Sequence, residues 1–229
     1  MQCDEVRPYY DILRKKRVTL VIKRLFDIIV SALMLVILSP LFLILALSIK
    51  LDSKGSVFFR QVRVTQYGKR FRIFKFRTMV QDADKLGTQV TVQNDARITR
   101  VGRFLRKYRL DEISQLIDIL RGTMTFVGTR PEVPKYVDAY TPEMLATLLL
   151  PAGVTSEASI RYKDEDELLK NAVDVDRVYI EEVLPAKMKW NLESIKRFSL
   201  SRELSTMIFT VFAVLDRGHA DTVKDKVEL

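Results

Sequence analysis

The stretch "IIVSALMLVILSPLFLILALSI", residues 28–49, decides how the rest of the chain must be arranged, because it carries no charged side chain. At 1.5 Å per residue, a straight helix of that length would cross a hydrocarbon layer of about 30 Å. Two features oppose a straight span. Pro40, near the middle, removes a backbone donor and clashes with the preceding turn, so the helix bends or breaks there. The carbonyl it strands needs a donor in an apolar setting, and the neighbouring Ser39 hydroxyl is the local candidate. Both flanks are also basic: Arg14, Lys15, Lys16, Arg17, Lys23 and Arg24 precede the run, and Lys50, Lys54, Arg60 and Arg63 follow it. The preference of Lys and Arg for the cytoplasmic side then asks for both ends on one face. A segment that enters, turns at Ser39-Pro40 and returns meets that demand. A spanning helix does not. The run is too long for a signal peptide, and no small-residue cleavage site follows it.

This reading divides the chain into an N-terminal segment with a re-entrant membrane helix, residues 1–50, and a cytosolic domain, residues 51–229, in which any catalytic chemistry must lie. A net charge of +9 over 229 residues fits a partner rich in phosphate: nucleic acid, an anionic membrane face or a phosphorylated substrate. Cys3 is the single cysteine, which excludes an internal disulfide framework and a Cys-based zinc site. The single histidine, His219, reads as a solvated polar residue. Acid–base or metal chemistry therefore rests on carboxylates and water.

Beyond Lys50, Ser53-Lys54-Gly55 and Tyr67-Gly68 read as turns. Around them, "VFFRQVRV" and "FRIFKFRTM" alternate large apolar and polar residues, as half-buried strands do. Residues 81–96 are polar and read as a loop. Phe104, Leu105, Tyr108, Ile113, Leu116, Ile117 and Leu120 recur at helical spacing, with Gly122 as the stop. "TFVGTRPEVPKY" reads as a loop, and "TPEMLATLLL" as a short helix with a Thr cap and Pro at its first position. "DEDELLKNAVDVDRVYIEEVLPAKMKWNLESIKRF" and "LSRELSTMIFTVFAVL" read as helices broken near Pro185. The expected fold is α/β: mostly helical, with a small sheet.

Candidate chemistry lies in "RITRVGRFLRKYRLDEISQL", residues 97–116, where Asp111 and Glu112 stand side by side after arginines at every third position. Adjacent helical residues point about 100° apart, so the two acids converge on one ion only at a helix start. Acids in a first turn also simply favour the helix dipole, and spacing alone does not exceed that reading. Context does: upstream cations and Arg130 of "TRPE" supply guanidinium forks for phosphate oxygens. A hard divalent cation between carboxylate and phosphate would complete a phosphoryl-transfer site, and a carboxylate can itself attack phosphorus. The arginine ladder turns about 300° per step, so one or two of its five members, not all, should reach a ligand.

The apolar run with its central Pro, "VFFRQVRV", "FRIFKFRTM", "DARITRVGRFLRKYRLDEISQL", "RGTMTFVGTRPEVPKY" and "DVDRVYIEE" occur in one order. Together, over residues 20 to 185, they resemble the bacterial sugar transferases, the monotopic phosphoglycosyl transferases. The resemblance implies transfer of a sugar-1-phosphate from a UDP-sugar to polyprenyl (undecaprenyl) phosphate, with release of UMP. It implies a place at the bacterial inner (cytoplasmic) membrane, facing the cytoplasm, at the first membrane step of glycoconjugate and polysaccharide assembly. It makes Asp111 the covalent nucleophile and Glu112, with Asp111, the holder of Mg²⁺. It gives Arg106 and Arg130 to phosphate, with Lys75 and Arg77 as further candidates, and Asp176 as a support. Its membrane element is a re-entrant helix broken at Ser39-Pro40. "LDEISQ" stands where the family has "LDELPQ", "GTMTFVGTRPE" where it has "GDMS.VGPRPE", and "LPAGVTSEASI" only loosely follows "RPGITG.A". The resemblance does not name the sugar.

The competing reading is a non-catalytic, membrane-anchored basic adaptor for anionic lipid or nucleic acid. It leaves the carboxylate pair unexplained. Phe71, Phe74 and Phe76 alternate as core residues do, without a base-stacking pattern, so no nucleic-acid partner is expected.

Overall fold

In the computed structural model, residues 3–83, 95–162 and 174–215 are described. Most of the predicted loop at 81–96, the stretch 163–173 and His219 lie outside them. Helix α1 (Arg7–Lys15) leads into α2 (Arg17–Ile37) and α3 (Ser39–Asp52). Among the described residues, no single helix is long and apolar enough to cross a membrane; α2 and α3 pass that test only as a pair, bent by 62°. The bend has the cause the sequence supplies. Pro40 cannot donate to the carbonyl of Val36, and the Ser39 hydroxyl takes that carbonyl instead, at 2.8 Å.

One face of the bent pair is apolar and open: Ile29, Leu33, Val36, Ile37, Leu43, Ile44, Leu47 and Leu51 are exposed. The other face lies against the rest of the chain. Leu35 and Leu38 pack on Ile73, Leu116, Ile119 and Met124, and Leu45 and Ile49 on Phe76 and Leu105. Higher up α2, Lys23, Asp27 and Ser31, four residues apart, are buried. Lys23 pairs with Glu203, and Asp27 accepts from the Thr125 hydroxyl at 2.5 Å. Arg24 donates to the carbonyls of Ile119 and Leu120 at 2.7 and 3.0 Å, closing the end of a helix on the far side of that contact. Helix α1 belongs to the same body: Val6, Tyr9 and Leu13 pack on Ala146, Leu149, Leu192 and Ile195. Each such burial contributes roughly 1.5–3 kcal/mol, so both flanks of the apolar run are tied to one domain.

The two predicted strands form one hairpin with a gap. β1 (Phe58–Phe59) pairs with β4 (Lys75–Phe76), and β2 (Val62–Val64) with β3 (Arg70–Arg72), both antiparallel. The register is continuous across the gap: Phe59 faces Lys75 on one side and Val62 faces Arg72 on the other. Both predicted turns are present, with Gly55 at φ +123°, Tyr67 at +58° and Gly68 at +74°.

Helix α4 (Arg100–Lys107) is capped by the Thr99 side chain. A 3₁₀ turn (Leu110–Gln115) then runs into α5 (Leu116–Arg121), which Gly122 ends at φ +85°. β5 (Met124–Val127) and β6 (Ala152–Thr155) make a parallel pair; the sequence reading takes most of β5 as the start of a loop and assigns no element to β6. They are four residues each and small or buried, so they show no alternation. The sheet is therefore three two-stranded ladders. α6 (Pro134–Val137) follows β5, the "TPEMLATLLL" segment is a 3₁₀ turn (Met144–Leu149), and α7 (Glu157–Arg161) follows β6.

Helix α8 (Val175–Val178), a π turn (Tyr179–Val183) and α9 (Leu184–Lys196) run on without interruption. The expected break at Pro185 is absent: Pro185 falls in the first turn of α9, directly after the π turn, where proline is tolerated. α10 (Leu200–Leu215) completes the described chain. The β5–β6 crossing is tight: a Cβ on Gly153 would fall 2.2 Å from both the N and O of Gly128. Gly153→Ala should lower stability by more than about 2 kcal/mol, the upper range for overpacking, in thermal unfolding in micelles.

Candidate active site

Asp111 and Glu112 do not sit on a regular α-helix. Helix α4 ends at Lys107, and Arg109 turns the chain with a left-handed φ of +52°. The acids open the 3₁₀ turn that follows, the helix-start geometry in which adjacent side chains can converge. They do converge, on Lys75, whose ammonium lies 3.0 Å from Asp111 Oδ2 and 3.3 Å from Glu112 Oε1. Arg130 grips Glu112 from another side, Nη2 on Oε1 and Nη1 on Oε2 at 3.3 Å. Asp111 is only 3% exposed. Burial by itself would raise the Glu112 carboxyl. The charges of Arg130, Lys75 and Arg109 outweigh it and hold the group well below the usual carboxylate range.

Three parts of the chain deliver these groups. The hairpin supplies Lys75 on β4. The loop beyond β5 supplies Arg130, whose Nη1 also donates to the carbonyl of Val154 on β6 at 3.4 Å. Each residue after Arg130 is fixed in turn. The Pro131 carbonyl accepts from Arg63 at 3.0 Å, and the Glu132 carbonyl from the Val64 N–H at 3.0 Å. The Glu132 carboxylate takes the Tyr179 hydroxyl at 2.6 Å, with Lys187 at 3.8 Å. The sequence reading takes Arg63 only as a basic flank of the apolar run and gives Glu132, Tyr179 and Lys187 no role. The Arg63 guanidinium, lowered by burial, remains a cation at neutral pH.

Of the other sequence candidates, Arg77 lines the same pocket as Lys75 and Arg130, and each has partners of its own. Arg77 is buried and spends its guanidinium on the Lys54 carbonyl (2.9 Å) and on the Ser53 carbonyl and hydroxyl (2.7 and 2.9 Å). It clamps the end of α3, and a Cβ on Gly55 would fall 2.0 Å from it. Arg106 donates to the Thr78 hydroxyl at 2.9 Å, not to the acid pair. Asp176 accepts from Lys135 at 2.5 Å and Tyr136 at 2.6 Å, bonds that lower its carboxyl and brace the segment after Arg130. Of the rest of the ladder, Arg97 holds Asp95 and lowers it to about 2, while Arg100 and Arg103 face outward.

Lys75 and Arg130 border a pocket of about 680 Å³, which Arg60, Arg63, Gln115 and Thr78 also line. That volume lies within the range of small-molecule sites, and its cations suit an anionic ligand. Among the described residues, no group of three or more His, Cys, Asp or Glu is placed to hold a metal. Two adjacent carboxylates that already share one positive charge still fit Mg²⁺. That ion takes one or two carboxylates and completes its shell with phosphate oxygens and water.

This chain belongs to the bacterial sugar transferase family, whose profile matches residues 18–217. It is 35% identical over 212 residues to the UDP-glucose:undecaprenyl-phosphate glucose-1-phosphate transferase of Escherichia coli K12, covering 90% of this chain and 43% of that one. A UDP-N-acetylgalactosamine-undecaprenyl-phosphate N-acetylgalactosaminephosphotransferase of Aeromonas hydrophila is 34% identical over 197 residues, covering 85% and 44%. A UDP-glucose:undecaprenyl-phosphate glucose-1-phosphate transferase of Caulobacter vibrioides is 34% identical over 201 residues, covering 86% and 71%. The chain thus spans less than half the length of the first two.

The depressed Glu112 carboxyl has a consequence for stability. Its folded value lies below the ordinary one of about 4.3. The ionised group's contribution is therefore complete above that value and is lost as pH falls through the lower folded value. The gap in urea midpoint between the native chain and Glu112→Gln should stay constant from about pH 8 to 5 and close only in stronger acid. A gap already closing between pH 7 and 5 would contradict the ion-pair assignment.

Proposed function

We propose that the chain is a phosphoglycosyl transferase that moves a sugar-1-phosphate from a UDP-sugar to polyprenyl (undecaprenyl) phosphate at the cytoplasmic face of the bacterial inner membrane. One observation carries the reading: Asp111 and Glu112 converge on Lys75, with Arg130 beside them, at the edge of a cation-lined pocket. The names of the relatives supply the donor and acceptor classes.

In this reading, Lys75 and Arg130 turn from the carboxylates toward the incoming diphosphate. An Asp111 carboxylate oxygen attacks the phosphorus that bears the sugar. The bond to the bridging oxygen breaks, and UMP leaves with the electron pair. An oxygen of polyprenyl phosphate then attacks the same phosphorus, and the aspartyl oxygen leaves as carboxylate. Atoms and charge balance over the two steps, and each replaces one difficult transfer by an easier one. Lys75 and Arg130 neutralise charge as it develops on the phosphoryl oxygens. Glu112, with Asp111, would hold Mg²⁺, which supplies Lewis-acid polarisation of the diphosphate when bound.

The chemistry has a direct test. Asp111→Asn should abolish UMP release, because an amide is no nucleophile. Incubating the native protein with UDP-glucose or UDP-N-acetylgalactosamine, without acceptor, should leave a phosphosugar adduct on Asp111 by mass spectrometry. Chelation should stop turnover, and Mg²⁺ should restore it. Turnover by Asp111→Asn comparable to the native enzyme would sink the nucleophile.

The membrane reading is separate. We place the exposed face of α2 and α3 in the bilayer and both flanks on the cytoplasmic side, supported by the 62° bend and by the packing of α1 on the domain that follows. Cys3 is partly covered, its thiol 3.8 Å from the Pro142 carbonyl, so the exposed Glu5 is the better probe. With Glu5→Cys in a Cys3→Ser background, a membrane-impermeant maleimide should label only opened cells. Adding Ser39→Ala and Pro40→Leu should shift part of the population to labelling in intact cells. Ready labelling with Ser39 and Pro40 in place would mean that the segment spans.

A further inference from the structure

The gap in the hairpin sits directly before Lys75. Through the hairpin, alternate residues turn to the partner strand: the Arg77 N–H donates to the Val57 carbonyl at 2.9 Å and the Ile73 N–H to the Gln61 carbonyl at 3.0 Å. The Phe74 N–H points the other way and has no strand to meet. It donates to Asp118 Oδ2 at 2.7 Å, a buried bond between residues 44 apart in sequence. The ring of Phe74 is fixed as well, with the Arg60 guanidinium 3.4 Å and that of Arg121 4.8 Å from its centroid.

We propose that Asp118 is a positioning residue for Lys75, gripping the hairpin at Phe74 so that the next side chain reaches the acid pair. Asp111 and Asp118 lie on one continuous helical segment, the 3₁₀ turn and α5. That segment holds two successive hairpin residues. Asp118 takes Phe74 by its backbone, and Asp111 takes Lys75 by its side chain. Asp118 is 2% exposed, and its other oxygen lies 3.5 Å from the Thr123 hydroxyl. Burial raises its carboxyl in spite of the Phe74 N–H and the nearby Arg60 and Arg121. What the site needs from it is therefore an acceptor, which an amide oxygen also provides. Removing the acceptor leaves a buried N–H without a partner. The strand then shifts to find one and carries Lys75 with it. A displacement of about 1 Å in a group that positions reacting atoms can cost about 100-fold in rate.

The proposal rests on the transfer reaction proposed above, and the test keeps the two apart. UMP release from UDP-glucose or UDP-N-acetylgalactosamine is measured for the native chain, Asp118→Asn, Asp118→Leu, Lys75→Met and the double variant Asp118→Leu/Lys75→Met. Asp118→Asn should retain most of the activity, and Asp118→Leu should lose about 10- to 100-fold. The double variant should be no worse than Lys75→Met alone, because Asp118 acts through Lys75. Losses that multiply, or an Asn variant as poor as the Leu variant, would overturn the proposal. If Asp118→Leu does not fold, Asp118→Ala carries the same cycle. A second readout needs no turnover: reductive methylation of Lys75, followed by mass spectrometry. Labelling should rise several-fold in Asp118→Leu and stay at the native level in Asp118→Asn. Unchanged Lys75 labelling in Asp118→Leu overturns the positioning role, whatever becomes of the transfer reaction.

Discussion

The structure turns on one carboxylate held between two cations. Glu112 meets Lys75 and Arg130, and Asp111 shares the first of them. Without those charges, burial alone would raise the Glu112 carboxyl. The cations come from places far apart in sequence, so the site exists only when the hairpin, the 3₁₀ turn and the β5–β6 pair are all in register. Each has a device that fixes it. The hairpin is held at Phe74, the turn by the left-handed Arg109, and the strand pair by a crossing that admits only glycine at residue 153.

Arg130 shows how much backbone support one functional side chain draws. Its neighbours Pro131 and Glu132 are each tied to β2 by a main-chain carbonyl, and the Glu132 carboxylate is sealed under Tyr179 and Lys187. This explains why a helix with a π turn lies so far downstream yet bears on the site. Tyr179 stands at the first position of that turn.

What the sequence made legible follows from locality. The bend at Ser39-Pro40, the two halves of the hairpin, the stop at Gly122 and the placement of the acids at a helix start all depend on neighbours within a few residues. Even the partner of the stranded carbonyl could be named, because Ser39 lies within reach of Val36. What stayed hidden is non-local. Lys23 read as part of a basic flank and Ser31 as part of an apolar run, yet with Asp27 they form a buried polar stripe whose partners, Glu203 and Thr125, lie about a hundred residues or more away. Arg77 and Lys75 look equivalent in "FRIFKFRTM". Two residues apart, they share a face and line one pocket, and only their partners separate them: Lys75 reaches the acids and Arg77 the end of α3. The parallel pair was invisible because four short, covered residues per strand carry no period.

The same non-local packing changes what the apolar segment is. A tether could be long or short without altering the chemistry, since a flexible loop costs little more as it lengthens. Here α2 and α3 form a wall of the domain. Leu38, at the bend, packs on the core that contains Leu116 and Ile119, immediately beyond the acid pair in sequence, while Leu45 and Ile49 pack with Phe76, the residue after Lys75. Any motion of the helix pair relative to the site would have to open those clusters, and protein interiors resist such gaps because they are close-packed. In the membrane placement proposed above, the depth of the helices and the height of Asp111 over the hydrocarbon would be one structural quantity. In the reaction proposed above, an acceptor phosphate held by its polyprenyl tail at a fixed depth would meet an Asp111 rigidly joined to the helix pair without a search in the third dimension.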